Sequence, residues 1–235
     1  MLNAIRSRLG AYQVYLITEF ATALFLAVIY TTAIVYRVES AHLNPLELVL
    51  IGTVLEAAYM LMQVPTGLVA DVYSRKWSVI IGYLVLGVAF LFEGLLPFFV
   101  AIAIAQVVRA LGFALISGAQ EAWIADEVGE DQTTRVYLRG SQVALIGTLV
   151  GTVLSGLIAL VRVNAPFIVG GTLFLLLGGF LVLAMRETNP PYREHRDGER
   201  PSVWQGVGKG SRDTLTQAWR LVRAHPVVLA IFGVV

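Results

Sequence analysis

Gly67-Leu68-Val69-Ala70-Asp71-Val72-Tyr73-Ser74-Arg75-Lys76 is a short charged turn set between two long apolar runs, and the reading of the chain starts from those runs. Upstream, Pro45–Ala70 carries only Glu47 and Glu56 as charges; downstream, Trp77–Leu96 carries only Glu93. A helix crosses the bilayer core with about 20 mostly apolar residues, and both runs qualify. So do Tyr12–Tyr36, Phe98–Ile124, Gly140–Val161 and Pro166–Met185. Composition agrees, with 57% hydrophobic and 14% charged residues against about 45–50% and about 25% in soluble domains. The expected fold is an all-α membrane protein, a bundle of six transmembrane helices.

Basic residues sort between the two sides of these spans. Arg6 and Arg8 precede the first, Arg75 and Lys76 follow the second, Arg135 and Arg139 follow the fourth, and a crowd from Arg186 to Arg223 follows the sixth. The opposite side holds only Arg37 and Arg162. The positive-inside rule therefore predicts both ends of the six-span unit on the cytoplasmic side of the cell membrane. The first apolar run is long enough to span and lacks a small-residue cleavage site, so it reads as a retained helix. Residues 1–186 form the six-helix domain. Residues 187–226 read as a cytoplasmic linker, punctuated by Asn189-Pro190-Pro191, with an amphipathic helix about Ser211–Ala224. The apolar tail 227–235 is less than half a crossing and reads as the start of a truncated seventh helix.

Zero cysteines exclude disulfides, thiolate metal sites and cysteine nucleophiles. All three histidines, His42, His195 and His225, lie outside the spans, which leaves an intramembrane enzyme without its usual base or metal ligands. No enzyme, metal, cofactor or nucleic-acid partner is expected. Ionisable groups inside spans are the functional candidates, because burying them is costly. At 100° per residue, Tyr12, Tyr15, Glu19 and Thr22 share a face of the first span; Glu56, Tyr59 and Gln63 share one of the second; Gln106, Arg109, Ser117 and Gln120 share one of the fourth. Tyr15, Glu19, Glu56, Tyr59, Gln63, Gln106 and Arg109 are the candidate substrate and proton pathway. Glu19 and Arg109 form its expected centre. The third span, with only Glu93 near its outer end, and the sixth, with no charge, read as lipid-facing or peripheral. Gly140, Gly147, Gly151 and Gly156 of the fifth span predict close approach of a neighbouring helix.

The opening stretch resembles the cytoplasmic loop signature of the major facilitator superfamily, roughly G-x-x-x-D-x-x-G-R-K/R between the second and third spans. Gly67, Asp71, Arg75 and Lys76 match; Val72 and Ser74 depart from it. Ser117-Gly118-Ala119-Gln120-Glu121-Ala122-Trp123-Ile124-Ala125-Asp126-Glu127 is similar to the same region of drug-exporter-like members, including the tetracycline-resistance-like group. The resemblance implies the N-terminal half of a twelve-span, alternating-access transporter. It implies proton-coupled efflux of small amphiphilic compounds, with a missing C-terminal half (or a second copy) as partner in the lipid bilayer. A nutrient importer and a non-transporting scaffold or receptor are the alternatives. In the family, the arginine at the place of Arg75 pairs with an acid at the end of the fourth span, here Asp126, and the signature acid, here Asp71, engages the other half. Gly67, Asp71, Arg75, Lys76 and Asp126 are thus the expected cytoplasmic gate.

Overall fold

The computed structural model describes residues 10–72 and 74–188, except for the side chains of Val64, Leu68, Val69, Asp71, Val72 and Glu130. The linker beyond Thr188, its amphipathic stretch and the apolar tail lie outside the described residues, as do Arg6 and Arg8. Among the described residues the chain forms α1 (Ala11–Glu39), α2 (Pro45–Val72), α3 (Arg75–Leu95), α4 (Phe99–Ile116), α5 (Ala119–Val128), α6 (Glu130–Ala159) and α7 (Ala165–Ala184). With α4 and α5 taken as one length, six segments are long and apolar enough to cross a membrane. The fold is the all-α six-span bundle the hydropathy dictates.

Local signals set the helix starts. Asn44 and Glu47 cap α2 reciprocally: the Glu47 amide donates to Asn44 Oδ1 at 3.0 Å and the Asn44 amide donates to Glu47 Oε2 at 2.9 Å, with Pro45 pre-set at the first helical position. Ser74 caps α3, its hydroxyl accepting from the Trp77 amide at 3.2 Å. Three boundaries differ from the sequence reading. The fourth span is not one helix: Gly118 sits at φ 76°, a left-handed conformation that favours glycine, and divides α4 from α5. Apolar residues continue on both sides of it, so hydropathy does not register the break. The helix of the fifth span starts ten residues before Gly140, because Glu130–Arg139 is polar yet free of Gly and Pro and simply continues the helix. The charged stretch 67–76 is mostly helical too, since α2 runs to Val72 and α3 starts at Arg75.

The third span is not peripheral. In α3, 61% of the spanning window is buried, the largest share of the six, while the windows of α2 and α6 are 6% and 17% buried. Glycines flatten α3 on two sides. A Cβ on Gly82 would stand 2.9 Å from the Gly112 carbonyl of α4, and one on Gly87 would stand 2.9 Å from the Gly171 carbonyl of α7. Small residues let backbones meet at this range, and dispersion then replaces lipid contacts. Low polarity in α3 thus reflects dense helix packing rather than exposure to lipid. The core it anchors contains Tyr83, Leu86, Phe90, Phe167 and Phe174, together with Ile29 and Tyr36 of α1. The closest pairings are α1 with α6, α3 with α7 and α4, and α2 with α4.

Candidate functional site

Consecutive spans run antiparallel, so the bundle has two ends: one holds the α2–α3 turn and Arg75, the other the α3–α4 turn and Glu93. Two polar networks occupy the interior, one nearer each end.

The first joins α1, α3 and α5. Gln120 Nε2 donates to Glu19 Oε1 at 2.7 Å, the Tyr83 hydroxyl donates to Gln120 Oε1 at 2.7 Å, and the Thr22 hydroxyl donates to the Tyr83 oxygen at 2.9 Å. Tyr15, one turn before Glu19 on α1, is buried. A Cβ on Gly140 would stand 2.7 Å from the Tyr15 ring, so the bare backbone of α6 closes over this tyrosine. The amide donor matches a carboxyl oxygen, which accepts a hydrogen bond whether or not the group carries a proton.

The second joins α1, α3 and α4 around Glu93, which is fully buried. Arg37 donates to Glu93 Oε1 through Nε at 2.9 Å and Nη2 at 2.8 Å. Arg109 Nη1 forms an ion pair with Glu93 Oε2 at 3.3 Å, and Arg109 Nη2 donates to Gln106 Oε1. The Arg109 guanidinium lies 4.8 Å from the Phe90 ring centroid and 5.6 Å from that of Tyr30, positions where a ring face attracts a cation. The Tyr36 hydroxyl donates to the Glu93 carbonyl at 2.5 Å. Between the networks run stacked rings: Tyr83 on Phe174 at 6.1 Å and Phe174 on Phe90 at 5.6 Å.

Glu19 and Arg109, expected as one centre, are thus held by different partners. Tyr15 of the first span and Gln106, Arg109 and Gln120 of the fourth are buried, whereas Tyr12 and Ser117 of the same faces are exposed; Glu19 meets Gln120 and Arg109 meets Glu93. Sequence reasoning passed over Glu93, Arg37 and Tyr83. A pairing signal existed: Arg37 and Glu93 close their spans at the same end of the bundle, which becomes visible only when charges are compared across span ends rather than along single helices. On α2, Glu56 and Gln63 are exposed and Gln63 Nε2 donates to the Tyr59 hydroxyl at 3.3 Å.

At the Arg75 end, Arg75 pairs with Asp126 of α5 and donates to the Ala122 carbonyl at 3.4 Å. Lys76 donates to the Val182 carbonyl at 3.4 Å and lies 5.8 Å from the Trp77 ring. Glu187, just past α7, accepts from the Ser74 hydroxyl at 2.5 Å and from the Arg75 amide at 2.9 Å, placing a carboxylate at the positive start of α3. Trp123 Nε1 donates to the Arg186 carbonyl at 2.5 Å, and Glu127 accepts from the Thr188 amide at 2.6 Å. The turn, the end of the fourth span and the exit of the sixth are therefore stitched together. Among the described residues nothing stands within 4 Å of where a Cβ on Gly67 would lie. The side chain of Asp71 lies outside the described residues.

A bundle of six apolar spans whose interior holds a buried carboxylate between two arginines and a second carboxylate in a hydrogen-bonded chain is a polytopic membrane protein with a polar interior. The chain belongs to the Major Facilitator Superfamily, whose family model matches residues 15–235. It is also similar to the uncharacterized MFS-type transporter YxaM of Bacillus subtilis (strain 168), with 30% identity over 135 residues, 56% of this chain and 33% of that one. The chain thus spans about a third of the length of that curated relative.

Proposed function

We propose that the chain is the N-terminal half of a transporter that moves small amphiphilic compounds out of the cell by alternating access, coupled to protons carried on Glu19. One observation carries this reading: Glu19 stands within the membrane-spanning bundle, hydrogen-bonded to Gln120, whose amide can donate to it both with and without a proton. Membership of the superfamily and similarity to an MFS-type transporter support transport as the activity. The sparsely buried faces of α2 and α6 suit a second six-helix unit that completes the cavity.

The Arg75 end faces the cytoplasm in this reading, as the distribution of basic residues favours. A reporter fused at His42 or Asn164 that behaves as cytoplasmic would overturn the orientation. The Arg75–Asp126 pair ties the second and third spans to the fourth at the inner gate, and Asp71 engages the partner half to hold that gate shut. The pair is partly exposed, at 21% and 44%, and such pairs stabilise by about 0–1 kcal/mol. A shift of about 1.4 kcal/mol already changes a two-state gate tenfold.

The test is export driven by a pH gradient in vesicles holding the complete transporter. Glu19→Gln, which keeps the amide contact but carries no proton, lowers gradient-driven export at least about tenfold while leaving exchange of substrate across the membrane in place, as expected for loss of a proton carrier. Gradient-driven export equal to the parent's would remove Glu19 from the mechanism.

A further inference from the structure

We infer that the recess between the starts of α1 and α6 holds the headgroup of an anionic phospholipid, with Arg135 and Arg139 on its phosphate and Tyr12 facing it from the neighbouring helix. The inference stands apart from the proton and substrate assignments, because it concerns the lipid around the protein and not the cargo.

The recess measures about 700 Å³ and is lined by Tyr12 of α1 and by Asp131, Gln132, Arg135 and Arg139 of α6, within the range of about 300–1,000 Å³ for small-molecule sites. Its level in the membrane follows from helix length. α6 has 30 residues and α1 has 29, about 45 Å and about 44 Å at 1.5 Å per residue, against a hydrocarbon core of about 30 Å. Apolar residues dominate α6 only from Gly140 on, so the polar turns before it stand in the headgroup layer. Tyr12, at the start of α1, suits the same layer, since tyrosine favours the interface.

Arg135 and Arg139 stand one turn apart on one face of α6, where like charges repel. Among the described residues Arg135 has no hydrogen bond or ion pair, and Arg139 has only a contact from Nη1 to Gln142 Oε1 at 3.3 Å. A phosphodiester between them removes the repulsion and takes charge-assisted hydrogen bonds from two guanidinium groups at once. Asp131 leaves the lining with two bases against one acid, so a surplus positive charge attracts a lipid of net negative charge, and its carboxylate can accept from a headgroup hydroxyl. A zwitterionic headgroup brings its own cation and leaves that surplus in place. Basic recesses between helices at a membrane surface are suited to anionic headgroups for these reasons. Ile17 of α1 and Leu138 of α6, at the same end of the bundle, are exposed apolar side chains against which the start of an acyl chain can lie.

Native mass spectrometry of the 235-residue chain in a neutral detergent, titrated with phosphatidylglycerol, phosphatidylethanolamine or phosphatidylcholine, counts the lipid retained. The expected result is one phosphatidylglycerol held at concentrations where neither zwitterionic lipid is kept. The double variant Arg135→Gln with Arg139→Gln weakens its binding by roughly tenfold to thirtyfold, as the loss of two basic contacts to an anionic lipid entails. Asp131→Asn strengthens it by about twofold to fivefold, because one opposing charge is gone; this gain still decides the matter if the double variant folds poorly. Arg162→Gln, at the opposite end of the bundle, leaves binding unchanged. Equal retention of all three lipids, phosphatidylglycerol affinity unchanged in the double variant, or an equal loss in Arg162→Gln overturns the site. Displacement of the lipid by inorganic phosphate at equimolar concentration also overturns it, by making the recess a site for a soluble anion.

Discussion

Glu93→Gln destabilises the bundle by about 3 kcal/mol or more, the range found when one partner of a buried pair is removed and the other charge is left uncompensated. Glu93 has no exposure, and the side chains of Arg109 and Arg37 are 1% and 13% exposed, so the Arg109 guanidinium cannot turn to water without unpacking its helix. The glutamine fills the same space, which separates loss of charge from loss of volume. Arg109 Nε and Nη1 already lack hydrogen-bond acceptors, so the Glu93 carboxylate is what compensates their burial. Thermal unfolding of the purified chain should show the drop. Salt should scarcely alter it, since buried pairs are screened far less than surface ones. The double variant Glu93→Gln with Arg109→Gln should recover much of the loss, because an uncharged buried pair costs less than a lone charge. A single variant that unfolds at the parent's temperature, or a double variant no better than the single, would show that the three charges are not coupled.

The same cluster marks the limit of what the sequence discloses. Span number and approximate position were legible because about 20 apolar residues announce a crossing. The inward faces of α1 and α4 were legible because polar residues recur at helical spacing. The Arg75–Asp126 pair was legible from its signature. The partners of Glu19 and Arg109 were not, because helical periodicity reports which way a side chain points and says nothing of what it meets across the bundle. Glu93 is 56 residues from Arg37 and 16 from Arg109, separations to which no local pattern is sensitive. The break at Gly118 was hidden for a related reason: backbone conformation changed there while hydropathy did not. The burial of α3 was hidden because its exposure was judged from charge alone, whereas Gly82 and Gly87 are where two neighbouring backbones touch it.

Glycines in the fifth span carry a prediction in which one substitution has opposite signs on one helix. A Cβ on Gly151 would collide with the Leu24 carbonyl of α1, and one on Gly147 would stand 2.5 Å from the Phe20 carbonyl. These obstacles are backbone atoms, which no rotamer change can move aside, so the helices must separate. Ser155 fixes their spacing further along, donating to the Val28 carbonyl at 2.6 Å. Overpacking of this kind costs about 1–3 kcal/mol per site, and Gly147→Ala with Gly151→Ala acts on adjacent turns of one contact, so the pair should strip α1 from α6 and release the cover over Tyr15. Gly156 has nothing within 4 Å of its Cβ position. There, alanine adds no clash and gains helix propensity, so Gly156→Ala should stabilise by about 0.5–1 kcal/mol. Intrinsic propensity alone favours alanine at all three positions; only the approach of α1 reverses the sign at two of them. Unfolding temperatures of the three single variants decide the matter. If Gly151→Ala and Gly156→Ala shift the same way, the close α1–α6 contact is not what holds this side of the bundle.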